Sequence, residues 1–267
     1  MPKHNLPMTP SEATKAILKK LPTKRMRDVI EKRFGLKGTG PCTLEGIGKE
    51  YKITRERVRQ IEADALKHLG KDDNLAEIKP LLADLQGYLK DHGEVMAEHH
   101  FFGAVAEAKH HPHISLLLYL GKGFHKTKET DDHYSRWTTN LASTEKSEKI
   151  IKGVIDDLEK GKKCVSKDEL SNLVDKHLKE VLGAVTPQTK EAHLAMCKTI
   201  SSNPYGEYGL THWPSVTPRG IRDKAYLALA KAQKPLHFLE IAKTINKAGW
   251  SDRKAHPQTV HNELIKD

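Results

Sequence analysis

TRERVRQIEADAL, residues 54–66, reads as one short helix with two unlike sides. A helix beginning after Thr54 brings Arg55 and Arg59 one turn apart, and Glu56 and Gln60 likewise, on a polar flank near its N-terminus. Val58, Ile61 and Ala65, spaced i, i+3 and i+7, form the opposite apolar stripe. One side pins the helix and the other presents a compact set of donors and acceptors. Arg pairs with guanine O6/N7, Gln with adenine N6/N7, and Glu accepts from cytosine N4, so Arg55, Glu56, Arg59 and Gln60 suit major-groove readout. A helix that only bound phosphate would gain nothing from Glu56. The competing reading is a solvated face of ion pairs one turn apart, each worth about 0.2–0.5 kcal/mol.

Upstream, TLEGIGKEYKI (43–53) begins with Thr43 as an N-cap and places Leu44, Ile47 and Tyr51 at helical spacing. A turn at Lys52–Ile53 leads to Thr54, a second N-cap. KGTGPC (37–42) interrupts the pattern, and before it Leu21, Met26, Val29, Ile30 and Phe34 line a helix face that Gly35 closes in a left-handed conformation. Ser11–Lys20 reads as a further helix, with Ala13, Ile17 and Leu18 on one side. Two helices and a tight turn form the arrangement in which the second enters a groove by its N-terminal turns while the first crosses the backbone. Charge agrees with this. Residues 1–72 hold 17 Lys+Arg against 9 Asp+Glu, whereas the other 195 hold 28 against 26. A formal net charge of +10 and a pI near 9.3 favour an anionic partner.

LPTKRMRDVIEKRFGLKGTGPCTLEGIGKEYKITRERVRQIEADALKHL resembles the −35-element-binding domain, region 4, of housekeeping bacterial sigma factors, on the signals RFGL, TLEGIGKEY, TRERVRQIE and ALKHL. The resemblance covers about 50 of 267 residues. It implies that Arg55, Glu56, Arg59 and Gln60 read bases, and that Lys49 and Arg57, with the capping residues Thr43 and Thr54, meet the DNA backbone. Asp64 departs from the pattern, which commonly has a basic residue there. No segment resembles those that melt the −10 element or clamp the polymerase, so unaided initiation as an ordinary sigma factor is not expected.

Beyond residue 72 the chain repeats weakly. YLKDHGEVMAEHHFFGA (88–104), LEKGKKCVSKDELSNLV (158–174) and LAKAQKPLHFLEIAKTI (229–245) superimpose without gaps at spacings of 70 and 71. Each reads as a helix end, a polar break, one apolar residue (Val95, Val165, Leu236) and an amphipathic helix; a further helix follows, and in the first two an aromatic hairpin-like stretch. That is the winged-helix plan. The expected fold is mainly α: a helix-turn-helix over 1–72, then winged-helix-like segments over 73–143, 144–216 and 217–267, with small β-hairpin wings. The last segment resembles the HARE-HTH module through KPLHFLEIAKTIN and PQTVHNELIKD, with no residues left for its wing. That resemblance implies DNA or polymerase association.

KGFHKTKETDDHYSRWTT (122–139) mixes cations and aromatics, and as a wing it offers Lys122, Lys126, Lys128 and Arg136 to phosphate; the equal alternative is a solvated hairpin with Tyr134 and Trp137 packed inward. His99, His100, His110, His111 and His113 cluster without a Cys pair or HExxH helix and read as surface and turn residues rather than metal ligands. Cys42, Cys164 and Cys197 stand far apart, which suits a reducing, cytoplasmic setting. No phosphate loop, paired carboxylates or triad is present in the sequence, so neither an enzyme, a cofactor nor a metal is expected, and no apolar run approaches the ~20 residues that span a bilayer. The expectation is a sequence-specific transcription regulator that binds double-stranded DNA at a −35-like element, with polymerase core as a further partner. Its rivals are a polymerase-binding sigma mimic or anti-sigma, and a nonspecific DNA binder.

Overall fold

The computed structural model describes residues 4–250 and 253–266. It is mainly helical with small antiparallel sheets. The chain divides into two compact units. The first comprises residues up to Glu129 with Tyr134–Glu145 and Glu191–Met196; the second comprises Thr130–His133, Lys146–Lys190 and the residues from Cys197 on.

In the first unit α1 (Pro10–Leu18) is held by a capping box in which Thr9 and Glu12 satisfy each other's backbone groups. Thr23 caps α2 (Lys24–Phe34), which ends at Gly35 with φ 68°. A Cβ there would come within 2.6 Å of the Gly40 carbonyl carbon, so glycine is required by the turn and by the close approach together. Thr43 caps α3 (Leu44–Tyr51), Thr54 caps α4 (Arg55–Leu69), and each accepts from the third residue on. A short helix, α5 (Asp72–Leu75), and a 3-10 turn lead into α6 (Lys79–Asp91). Then come β1 (Val95–Ala97), α7 (Glu98–Val105), α8 (His111–Leu120), β2 (His125–Thr127) and β3 (Arg136–Thr138). The three strands pair antiparallel in the order β1-β3-β2, with Trp137 opposite both Met96 and Lys126.

Two apolar clusters serve the helix-turn-helix. Val29, Ile47, Val58 and Ile61 form a small core between α2, α3 and α4. The other side of α2 and α4, through Ile30, Ala65 and Leu69, is buried with Ile17 and Leu18 of α1 and Leu21 after it in a larger core with Leu81, Leu85 and Leu89 of α6 and with α8. α8 buries Ile114, Leu116, Leu117, Leu118 and Leu120, and Tyr119 is its one exposed residue. A helix apolar on all sides needs partners all round, and α1 and α2 supply one side.

In the second unit lie α9 (Leu141–Gly161) from Lys146 on, α10 (Lys167–Leu182) and the start of α11 (Pro187–Met196). There follow the hairpin β4 (Ile200–Ser202) and β5 (Tyr208–Leu210), then α12 (Ile221–Ala232), α13 (Phe238–Ala248) and α14 (Pro257–Ile265). The second and third aligned stretches share local backbone features. Ser166 and His237 occupy matching N-caps, each closed into a capping box by Glu169 and Glu240, and Lys162 and Gln233 hold matching left-handed positions with φ 50° and 51°. The gapless superposition fails in the first copy. α10 buries Leu170 and Val174 and α13 buries the aligned Ile241 and Ile245, whereas α7 buries Phe101, Phe102 and Val105. The slip of one residue arises because β1 continues through Ala97, so α7 starts one position later than the capped helices. Val165 forms a single bridge with Tyr208, and Leu236 belongs to no strand. Among the described residues, no hairpin follows α14.

Candidate nucleic-acid interface

α4 is aimed by the turn before it. Lys52 adopts φ 54°, and the Ile53 amide donates to the Gly48 carbonyl at 2.9 Å. A Cβ on Gly48 would lie 2.8 Å from the Ile53 carbonyl oxygen, so glycine lets the two helices close on each other. From the far side Arg33 of α2 donates through Nε to Glu62 of α4 at 3.0 Å, and through Nη1 to the Cys42 carbonyl at 2.7 Å. Tyr51 donates to Asp28 at 2.5 Å, and the Arg25 guanidinium stands 5.0 Å above the Tyr51 ring. Lys32 pairs with Asp28 at 2.9 Å and with Glu50, and these two carboxylates raise its pKa well above the ordinary lysine value. Tyr51 and Lys32 together keep the Asp28 carboxyl low against the opposing effect of its burial. The α2–α3–α4 corner is therefore tied by Arg33, Tyr51 and Lys32. The sequence presents Tyr51 only as a helix-face residue and singles out neither Arg33 nor Lys32; apart from Asp28, one turn from Lys32, their partners lie 9 to 29 residues away.

The outward side of α4 carries the expected set. Arg55, Glu56, Arg57, Arg59 and Gln60 are all exposed, while Val58, Ile61, Ala65 and Leu69 are buried. Arg59 grips Glu56 in two bonds, Nε to Oε2 at 2.8 Å and Nη2 to Oε1 at 2.7 Å. That pairing holds the Glu56 carboxyl below its usual range. Arg57 donates to Gln60 Oε1 at 3.0 Å. The ion pair of the competing reading is thus present, and it fixes the planes of two side chains on the outward face. Thr43 and Thr54 are exposed at the helix starts, and Lys49 lies one turn from Glu45 at 2.8 Å.

The hairpin differs from expectation. Lys128 is exposed, and Lys122 is exposed and paired with Asp72 at 2.8 Å. Lys126 is exposed, paired with Glu98 and 5.5 Å from the Trp137 ring centre. Arg136 is only 1% exposed, at the centre of a sheet whose middle strand is covered on every position, so it offers nothing to phosphate at the surface. Trp137 is buried with its indole donating to Glu98 at 2.8 Å, while Tyr134 remains partly exposed. His113 is buried too, at 8% exposure, contrary to the reading of that cluster as surface and turn residues. Among the described residues, no three His, Cys, Asp or Glu side chains converge as a metal ion requires. No described helix is long and apolar enough to cross a membrane.

Residues 17–71 match the family described as sigma-70, region 4. The "RNA polymerase sigma factor SigA" of Lactococcus lactis subsp. cremoris is 53% identical over 47 residues, 18% of this chain and 13% of that protein. The protein of the same description from Clostridium acetobutylicum is 45% identical over 60 residues, 22% of this chain and 16% of its own. "RNA polymerase sigma factor RpoD" of Neisseria gonorrhoeae is 48% identical over 58 residues, 22% and 9%. The likeness therefore spans less than a fifth of each relative's length. The helix-turn-helix that carries α4, residues 17–71, is a sigma-70 region 4 domain.

Proposed function

We propose that this protein is a sequence-specific, DNA-binding transcription regulator that recognises a −35-like promoter element through α4. The observation that carries the reading is the outward face of α4: two arginines, a glutamate and a glutamine, fully displayed on a helix anchored by a buried stripe, within a region 4 domain. Arg55, Glu56, Arg59 and Gln60 read base edges. Thr43 and Thr54 at the two helix N-termini, Arg57 in the first turn of α4 and Lys49 in the last turn of α3 meet phosphates. Residues 73–143, 144–216 and 217–267 are three winged-helix segments, a reading supported by the sheet order β1-β3-β2 and by the shared capping pattern of the second and third copies. Lys126 and Lys128 remain as wing cations, and Arg136 is withdrawn. Because the relatives are RNA polymerase sigma factors, polymerase core is the protein partner we propose.

The test is salt-titrated binding of the full chain to a duplex carrying TTGACA and to a scrambled duplex. Discrimination of ~10³ or more at physiological salt is expected. Equal affinity for both, with a steep salt dependence, would instead describe a nonspecific binder.

A further inference from the structure

α2, α4, α7 and α8 of the first unit together line one open groove, about 840 Å³ in volume. That is the size of clefts that take small organic ligands, roughly 300–1,000 Å³. Its walls are aromatic. Phe34 meets Tyr119 edge-on at 6.1 Å between ring centres, His99 meets Tyr134 at 4.7 Å, and Phe102 meets His111 at 5.6 Å. Four of these rings are Phe or Tyr, in a chain with only 5 Phe, 7 Tyr and 3 Trp. Tyr119 and Tyr134 are 62% and 39% exposed. A single exposed ring is ordinary on a protein surface, but these two open onto the same concave one.

The charge at this groove runs against that of the chain. Glu62, Glu98 and Glu129 line it, and Arg33 is its one Lys or Arg among the described residues, in a protein of formal net charge +10. Arg33 is already committed to Glu62 at 3.0 Å and to the Cys42 carbonyl at 2.7 Å, so an anion would find no open guanidinium. The carboxylates keep capacity. Arg33 meets only Oε1 of Glu62, and both donors to Glu98, the Trp137 indole and Lys126, meet its Oε2. Lys126 shows locally what such a setting holds: its ammonium pairs with Glu98 and stands 5.5 Å from the Trp137 ring centre. Aromatic faces and carboxylates together suit a cation with an apolar body, the rings attracting it through their quadrupole and the acids through charge.

We infer that this groove is a binding site for a small organic cation, a quaternary or protonated amine that carries an aromatic or branched apolar group. Tyr119 and Tyr134 offer ring faces to the ammonium, Glu98 and Glu129 supply the opposing charge, and Phe34, Leu66 and Phe102 receive the apolar body. The site uses none of the outward residues Arg55, Glu56, Arg59 and Gln60 and does not depend on the role given to them.

The test is calorimetric titration of the full chain with benzyltrimethylammonium, with the uncharged benzyl alcohol and with the anion benzoate. Saturable binding of the cation in the millimolar range or tighter is expected, about tenfold or more above benzyl alcohol, and none for benzoate. Tyr119→Ala with Tyr134→Ala should weaken it about tenfold, whereas Tyr119→Phe with Tyr134→Phe keeps the ring faces and should retain most of the affinity. Glu98→Gln with Glu129→Gln should weaken it several-fold at low salt and less at high salt. Tyr226→Ala, at a ring of the second unit that is 71% exposed, should leave it unchanged. Circular dichroism checks that each variant is folded. No saturable binding, equal affinity for the cation and the alcohol, or binding that survives loss of both tyrosines would overturn the inference. Tighter binding of N-acetyl-lysine amide than of benzyltrimethylammonium would overturn it in favour of a basic side chain from a partner protein.

Discussion

Arg59 and Glu56 meet in two nearly parallel hydrogen bonds on an open helix face, where such a pair adds little to stability. Its consequence is orientation: the glutamate holds the guanidinium plane and the guanidinium keeps the carboxylate charged. Because Arg59 depresses the Glu56 pKa, the sign is clear. The pair is intact above the ordinary carboxylate range and is lost only as pH falls through a value lower still, so titrations of DNA binding between pH 6 and pH 8 should show no step from it. Glu56→Gln should relax preference at one base pair while retaining overall affinity. Arg55→Ala and Gln60→Ala should each cost about 1–3 kcal/mol on the preferred duplex, and much less on a scrambled one. Fluorescence anisotropy on the two duplexes measures both effects.

At the scale of elements, the caps and the turn make the helix-turn-helix legible from sequence. Thr43, Thr54 and Gly35 announce where helices start and stop, and the apolar spacing of Val58, Ile61 and Ala65 gives the buried side of α4. What the sequence left unread has a common cause: the partner is distant along the chain. Arg136 looks like a surface cation in a Lys-rich stretch, yet its place in the middle strand follows from pairing with residues near 97 and 127. α8 shows its burial by being apolar on every side, but nothing in that pattern names α1 and α2 as its neighbours. The one-residue slip of α7 is also invisible until β1 is seen to pair. Gly48→Ala tests the turn. Its methyl would meet the Ile53 carbonyl, so a loss of about 1–3 kcal/mol is expected in denaturant unfolding, together with weaker DNA binding as α4 is pushed off its setting.

The first unit as a whole behaves as one body around α8. Leu117 is fully buried there, and Leu117→Ala should cost about 2–5 kcal/mol and lower the midpoint of a single cooperative transition that includes the helix-turn-helix. Two separate transitions would contradict the shared core. A pH dependence belongs to the same place. Burial, with help from His110 and Lys15, pushes the His113 pKa below the ordinary histidine value. The folded state therefore favours neutral imidazole, and the stabilisation is complete above pH ~6.5 and declines as pH falls toward the depressed value. The unfolding midpoint should drop between pH 7 and pH 5, and His113→Gln should flatten that slope.

The shared core also bears on descent. Ile17, Leu18, Leu21, Ile30, Ala65 and Leu69 lie inside the stretch matched to the sigma factors, yet they face α6 and α8, which lie outside it. A recombination event at residue 72 would strand half of an interface on each product. The segment is therefore not an interchangeable cassette, because its buried face is completed by residues outside it. Replacing it with a relative's segment should yield a stable chimera only when those six side chains are carried over unchanged.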